Sequence, residues 1–161
     1  MSELTDLLER FRRGPELLAV VMTGVYGEEE DFVPSAGSWS IRQIMAHMAD
    51  SELVAAYRLR SVIAEDDPAL RGYDQDRWAA NLDYARRKPA KSLETFRRMR
   101  AENHELLKEL PEPAFDRAGM HSEHGRQTLR QLLATYSEHA ESHARQVQGI
   151  RDEYKKSKGR K

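Results

Sequence analysis

The 161-residue chain contains no cysteine. That absence excludes a disulfide framework, a thiolate-bound zinc site and a cysteine nucleophile, so any metal must be held by nitrogen and oxygen. Glycine and proline are scarce, with nine and six residues, which favours helices over a turn-rich β fold. Neither sign of charge dominates: 26 basic side chains balance 27 acidic ones, a formal net charge of −1. Without a basic field, nucleic acid is not an expected partner. Apolar runs are short, and none approaches the roughly 20 residues that span a bilayer. The opening MSELTDLLERFRR is amphipathic and acidic from its start, unlike a secretory leader. A soluble cytoplasmic protein without membrane association is expected.

What the chain does contain is an unbroken mixture of 39% hydrophobic and 33% charged residues. One domain over residues 1–154 is expected, followed by a basic, frayed tail at 155–161. Four long helices are predicted from apolar periodicity. The first runs from Ser2 to Val21, with a kink or restart at Gly14-Pro15. A loop rich in Gly, Pro and acidic residues follows, from Gly24 to Gly37. The second helix runs from about Ser40 to Glu65, capped by Ser38 or Ser40. A long connector holds a short helix, Gln75 to Arg87. The third helix covers Ser92 to Leu110, and Pro111 and Pro113 stop it. The fourth covers Thr128 to Tyr154, with Thr128 as its cap. No alternating strand pattern stands out, so the expected fold is an all-α four-helix bundle. The long link between helices two and three leaves room for a crossover.

On a wheel of about 100° per residue, Leu129, Leu132, Leu133, Tyr136, Ala140, Val147 and Ile150 of the last helix share one arc. His139 and His143 fall inside it, one turn apart, whereas Glu138, Glu141 and Arg145 point away. This i, i+4 spacing lets one helix offer two nitrogens to one metal ion, at roughly 2.0–2.1 Å each for zinc. Hydrogen bonding of both imidazoles to nearby carbonyls or carboxylates is the other way to offset their burial. On the second helix, His47 lies at the edge of the apolar arc. Glu52 lies near its centre, between Met48 and Ala55, and needs a partner there. It reads either as half of a buried ion pair with Arg100 or as a catalytic carboxylate beside a metal site.

Two stretches carry a family resemblance. Trp39-Ser40-Ile41-Arg42-Gln43-Ile44-Met45-Ala46-His47-Met48-Ala49-Asp50-Ser51-Glu52 resembles the second-helix signature of the DinB/YfiT-like family. His121-Ser122-Glu123-His124-Gly125, followed by Thr128-Leu129, Leu132-Leu133, Tyr136, His139 and His143, resembles that family's loop and last helix. The likeness extends from about Leu4 to Ile150. It implies a four-helix bundle with a long crossover. It also implies a divalent transition metal, zinc or nickel, on three histidines, which here are His47, His139 and His143. Three histidines leave coordination open for water or substrate. Because characterised members include S-transferases that use bacillithiol, mycothiol or glutathione, the resemblance implies transfer of a low-molecular-weight thiol to an electrophilic small molecule. With no cysteine in the chain, that thiol would arrive as a cosubstrate. A metal-activated hydrolase and a non-catalytic metal-binding stress or sensor protein are the alternatives.

The resemblance has limits. The sulfoxide synthases that share part of this pattern use H-x-x-x-H-x-E, and Arg145 stands where that glutamate would be. Arg100 and His104 share the inner face of the third helix and are candidates for binding an anionic substrate group, with His124 at the pocket mouth. Trp39 reads as a core anchor at a helix start. The Arg58-Leu59-Arg60 cluster reads as a solvated helix face. Exposed apolar faces, and pairing among relatives, make a homodimer the expected assembly.

Overall fold

The four long helices are present in the computed structural model, which describes residues 2–159. They are α1 (Glu3–Met22), α3 (Ile41–Ala64), α5 (Pro89–Lys108) and α6 (Leu129–Gly159), joined by the short α2 (Glu28–Asp31) and α4 (Gln75–Asn81). Local chemistry explains their starts. The Ser40 hydroxyl accepts from the Gln43 amide, and the Gln43 side chain accepts from the Ser40 amide in return, a reciprocal cap. Thr128 and Gln131 repeat the device at the start of α6, at 2.8 and 3.1 Å. Pro89 opens α5, where a missing N–H costs nothing because the first-turn amides have no helical partner.

Contacts between side chains set the helix directions. Arg10 meets Glu141, and Arg151 meets the Val21 carbonyl, so α1 and α6 run parallel. Arg87 meets Asp50, while Asn103 meets Arg60 further along, so α3 and α5 also run parallel. His47 meets His139 while Arg58 meets Tyr136, which sets α3 antiparallel to α6. The resulting topology is up-down-down-up. The connection from α3 to α5 must therefore travel back along the bundle, as its length suggests.

Three expectations are corrected. The first concerns α1: of the kink or restart expected at Gly14-Pro15, the restart does not occur, and one helix runs through both residues. Pro15 has no N–H for the carbonyl of Phe11, four residues earlier, and the Arg100 guanidinium supplies that hydrogen bond at 2.9 Å. The second concerns strands. The return connection and the link to α6 form a small sheet of β1 (Ala69–Leu70), β2 (Ala118–His121) and β3 (Gly125–Thr128). β1 pairs parallel with β2, and β2 pairs antiparallel with β3, His121 opposite Gly125. Gly125 takes φ +70° at the turn, and at Gly119 a Cβ would sit 2.8 Å from the Pro68 carbonyl. Beyond Tyr154, residues 155–159 are the helical end of α6, while Arg160 and Lys161 lie outside the described residues. The third concerns the connector, where the expected helix to Arg87 ends at Asn81, because Asp83 adopts a left-handed conformation, before a single 3₁₀ turn at Tyr84–Arg86.

Most of the interior is two large apolar clusters with a polar layer between them, and a small third cluster gathers Ala46, Ala79 and Tyr84. One gathers Phe11, Leu59, Leu107, Phe115 and Leu133; the other gathers Leu18, Ile44, Met48, Phe96 and Val147. Arg100, 1% exposed, lies between them. It makes a bidentate pair with Glu52 at 2.8 and 2.9 Å and also donates to the Tyr136 carbonyl at 3.2 Å. Its guanidinium lies 4.0 Å from the Phe11 ring centroid and 4.7 Å from that of Phe96. Asn103 donates to Glu52 at 2.9 Å. One arginine on α5 therefore contacts each of the other three long helices.

Candidate metal centre and its cavity

The antiparallel crossing of α3 and α6 brings His47 against His139 and His143. The Nε2 atoms of His47 and His139 are 2.9 Å apart, and those of His139 and His143 are 3.0 Å apart. These three residues form a group able to hold a metal ion, each ligand atom within 4.8 Å of the others. Nitrogens sharing a tetrahedral ion at roughly 2.0–2.1 Å stand about 3.3 Å apart, so the donor set matches the expected group in kind and in spacing.

Hydrogen bonding alone does not account for this cluster. An imidazole nitrogen has one in-plane position, which holds either a proton or a lone pair. The His139 Nε2 can therefore satisfy one of its two close neighbours and not both. His143 Nδ1 is 2.7 Å from the Gln146 Oε1; donation to that oxygen leaves the His143 Nε2 lone pair aimed at the cluster. Burial pushes His47 down to about 3 and His139 down to about 2, each reinforced by neighbouring imidazoles. Burial lowers His143 as well, partly opposed by Gln146. All three are therefore neutral at neutral pH, the state that ligation requires. Trp39 packs edge-on against His47, with ring centroids 5.1 Å apart, and so supports the site from behind.

A cavity of about 280 Å³ adjoins the imidazoles and is lined by His47, His139, Ser51, Arg58, Tyr73 and Tyr136, with the β2–β3 turn at its rim. A larger open groove of about 990 Å³ runs between α3 and α4 and contains none of the three histidines. The smaller cavity is the chemically relevant one, because two of the three imidazoles, His47 and His139, line it.

Several expected site residues are elsewhere. Glu52 does not face the imidazoles, since both its oxygens are taken by Arg100 and Asn103. It is the ion-pair partner, and a catalytic role is set aside. Arg100, committed to that pair, cannot also bind a substrate anion. His104 lies away from the cavity, half-buried and 3.9 Å from Glu105. His124 is at the cavity rim, stacked 4.6 Å from His121. Residues the sequence reading passed over take their place. Arg58, read as solvated, turns inward and donates to the Tyr136 hydroxyl at 3.0 Å. The spacing 47, 51, 58 on α3 marks that wall as one helix face, a signal available before the structure.

Comparison with known proteins agrees with this fold. The DinB superfamily model matches residues 10–147. A proposed metal-dependent hydrolase of Oceanobacillus iheyensis is 28% identical over 151 residues, covering 93% of this chain and 83% of that protein. One from Bacillus licheniformis is 27% identical over 150 residues, covering 92% and 85%. The solved structure of YfiT from Bacillus subtilis, described as a proposed metal-dependent hydrolase with an unusual four-helix bundle topology, superposes with a TM-score of 0.86. It is 24% identical, with 93% of this chain and 87% of that one covered, and so shares the fold. Because that family model spans most of the sequence, the chain belongs to the DinB superfamily.

Proposed function

We propose that this protein is a divalent-metal-dependent enzyme that transfers a low-molecular-weight thiol to an electrophilic small molecule. The observation that carries the reading is the convergence of three neutral Nε2 atoms at 2.9 and 3.0 Å, which no single set of protons satisfies. When bound, a divalent metal such as zinc or nickel supplies Lewis acidity that holds a thiol as thiolate near neutral pH. His47, His139 and His143 would hold it, and no fourth side-chain donor joins them among the described residues. An open position suits turnover better than storage or sensing.

The surroundings favour a thiol over water as nucleophile. Water activation commonly draws on a carboxylate base, but Glu52 is bound to Arg100 and Asp50 to Arg87, and the carboxylate that lines the cavity, Glu123, is exposed on the β2–β3 turn. A thiol, being far more acidic than water, needs no such base. In the transfer, a carbon–sulfur bond forms as the bond from that carbon to its leaving group breaks, and the thiol proton passes to solvent. The cavity walls hold the electrophile beside the imidazoles and limit the water that reaches it. Hydrolysis is the second reading, and it is favoured by the description given to the relatives in Oceanobacillus iheyensis and Bacillus licheniformis.

The test begins with metal analysis of protein purified without chelator, where about one transition metal per chain is expected. Loaded protein is then assayed with an electrophilic aryl halide, with and without a panel of small thiols. Thiol-dependent release of halide supports the proposal; turnover that needs no thiol transfers the assignment to hydrolysis. Failure to take up any metal overturns both.

A further inference from the structure

Among the described residues, every buried or half-buried arginine but one is paired with a carboxylate. Arg42 meets Glu30 and Asp31, Arg87 meets Asp50, Arg100 meets Glu52 and Arg151 meets Glu29. Arg58 is the exception. Its Nη1 donates to the Tyr136 hydroxyl and its Nη2 to the Arg71 carbonyl, both uncharged acceptors. Its Nε is buried and has no partner. Among the described residues no carboxylate lies within ion-pair distance of it. Glu123, the only carboxylate among the cavity-lining residues, is exposed on the β2–β3 turn. A guanidinium in a partly enclosed cavity with unused donor capacity is a site for an anion.

Two neighbours with a proton to donate line the same cavity. Because the Tyr136 oxygen accepts from Arg58, its own proton is free for a ligand. The Nδ1 of His121 accepts from the backbone amides of Glu123 and His124 at 3.1 and 3.3 Å. That fixes its proton on Nε2, and His121 lines the same cavity. Three donors of this kind match a carboxylate or phosphate group; the Glu123 carboxylate, within 4.8 Å of a His121 ring nitrogen, is on the exposed turn. Position completes the argument. His47 and Arg58 are eleven residues apart on α3, about 16 Å of helical rise, and the long arginine side chain leans back toward His47.

We propose that Arg58, Tyr136 and His121 form an anion subsite that seats a carboxylate or phosphate of the substrate while its reactive end lies at the three histidines. The substrate class is thus an extended small molecule, acidic at one end and reactive at the other. The proposal rests on the metal-enzyme reading for its reactive end, though the anion subsite is testable by itself.

Isothermal titration of the metal-loaded protein with inorganic phosphate, and separately with acetate, reads the subsite directly. Saturable binding of either probe is expected, and the tighter one identifies the head group. Arg58→Gln should weaken that binding at least about tenfold, in line with loss of a charge-assisted hydrogen bond. Arg58→Lys should recover part of it, and Tyr136→Phe should weaken it about threefold, as for one neutral hydrogen bond. Because Arg58 also ties two segments together, melting of each variant is recorded. If Arg58→Gln fails to fold, Arg58→Lys and Tyr136→Phe decide, and unchanged affinity in both overturns the proposal. It is also overturned if neither probe saturates wild type, or if folded Arg58→Gln binds as wild type does. Repeating the titration on chelator-treated protein separates the two readings. Anion binding that persists in a protein unable to take up metal leaves the subsite standing and the metal-enzyme reading overturned. Binding that requires metal and ignores Arg58 overturns the subsite alone.

Discussion

His139 stands between two other imidazoles, and its behaviour follows from where its single reactive nitrogen points. His139→Ala removes the central donor and should lower metal affinity by more than about a hundredfold, beyond the usual cost of losing an outer partner; metal-competition titration measures it. The neutral state of the cluster also has a pH signature. His47 and His139 are depressed from 6.5 to about 3 and about 2, so below about 6.5 the unfolded chain binds protons that the fold refuses. Stability of the metal-free protein is therefore full above that pH and falls progressively as pH drops toward 3. The expected slope is about 1 kcal/mol per pH unit for each histidine. Chemical melts in chelator between pH 7 and 5 check the sign, and a midpoint that does not fall would contradict it. Glu52→Gln addresses the other buried charge. It keeps the shape but leaves the Arg100 charge uncompensated, costing about 3–5 kcal/mol. Metal stoichiometry should nevertheless stay at the wild-type value, because Glu52 does not face the imidazoles.

Among the helices, α1 shows how an apparent defect becomes a contact. Gly14 and Pro15 would ordinarily weaken a helix, one by flexibility and one by a missing donor. Here the missing donor frees the Phe11 carbonyl for Arg100, and the missing side chain makes room for the guanidinium. A Cβ at Gly14 would stand 2.6 Å from Arg100 Nη1 and 3.1 Å from Ala140 Cβ. Gly14→Ala, favourable in an isolated helix, should therefore destabilise this protein by about 1–3 kcal/mol, as measured by urea unfolding. The same reasoning explains the small sheet. Its strands hold only two to four residues, yet they fasten the return connection to the start of α6 and hold His121 at the cavity.

For the molecule as a whole, the cluster joins α3 to α6, so a ligand there ties together helices distant in sequence. No helix among the described residues is long and apolar enough to cross a membrane. Metal binding should raise the melting temperature by mass action. At a free concentration about a hundred times Kd the gain is about 2.7 kcal/mol, or about 5–10 °C for a chain of this size. Thermal melts with added zinc or nickel are expected to show that rise in wild type and to lose it in His143→Ala.

Much of this was legible in the amino-acid sequence because it is local. Helical periodicity, the Ser40 and Thr128 caps and the i, i+4 placement of His139 and His143 all depend on residues within a few positions of one another. The family resemblance added His47 as the expected third member, which spacing alone had no means to connect across 92 residues. Glu52 was visibly anomalous from its place in the apolar arc, but both of its readings remained open until α5 brought Arg100 to it. Arg58 and Arg100 look alike as letters in a helical pattern. Tertiary structure gave one a buried carboxylate and left the other at a cavity with no carboxylate in ion-pair reach of it. The chain thus carried its helices and its paired histidines in short-range chemistry. Which faces met, and hence which charges were cancelled, depended on packing between distant elements.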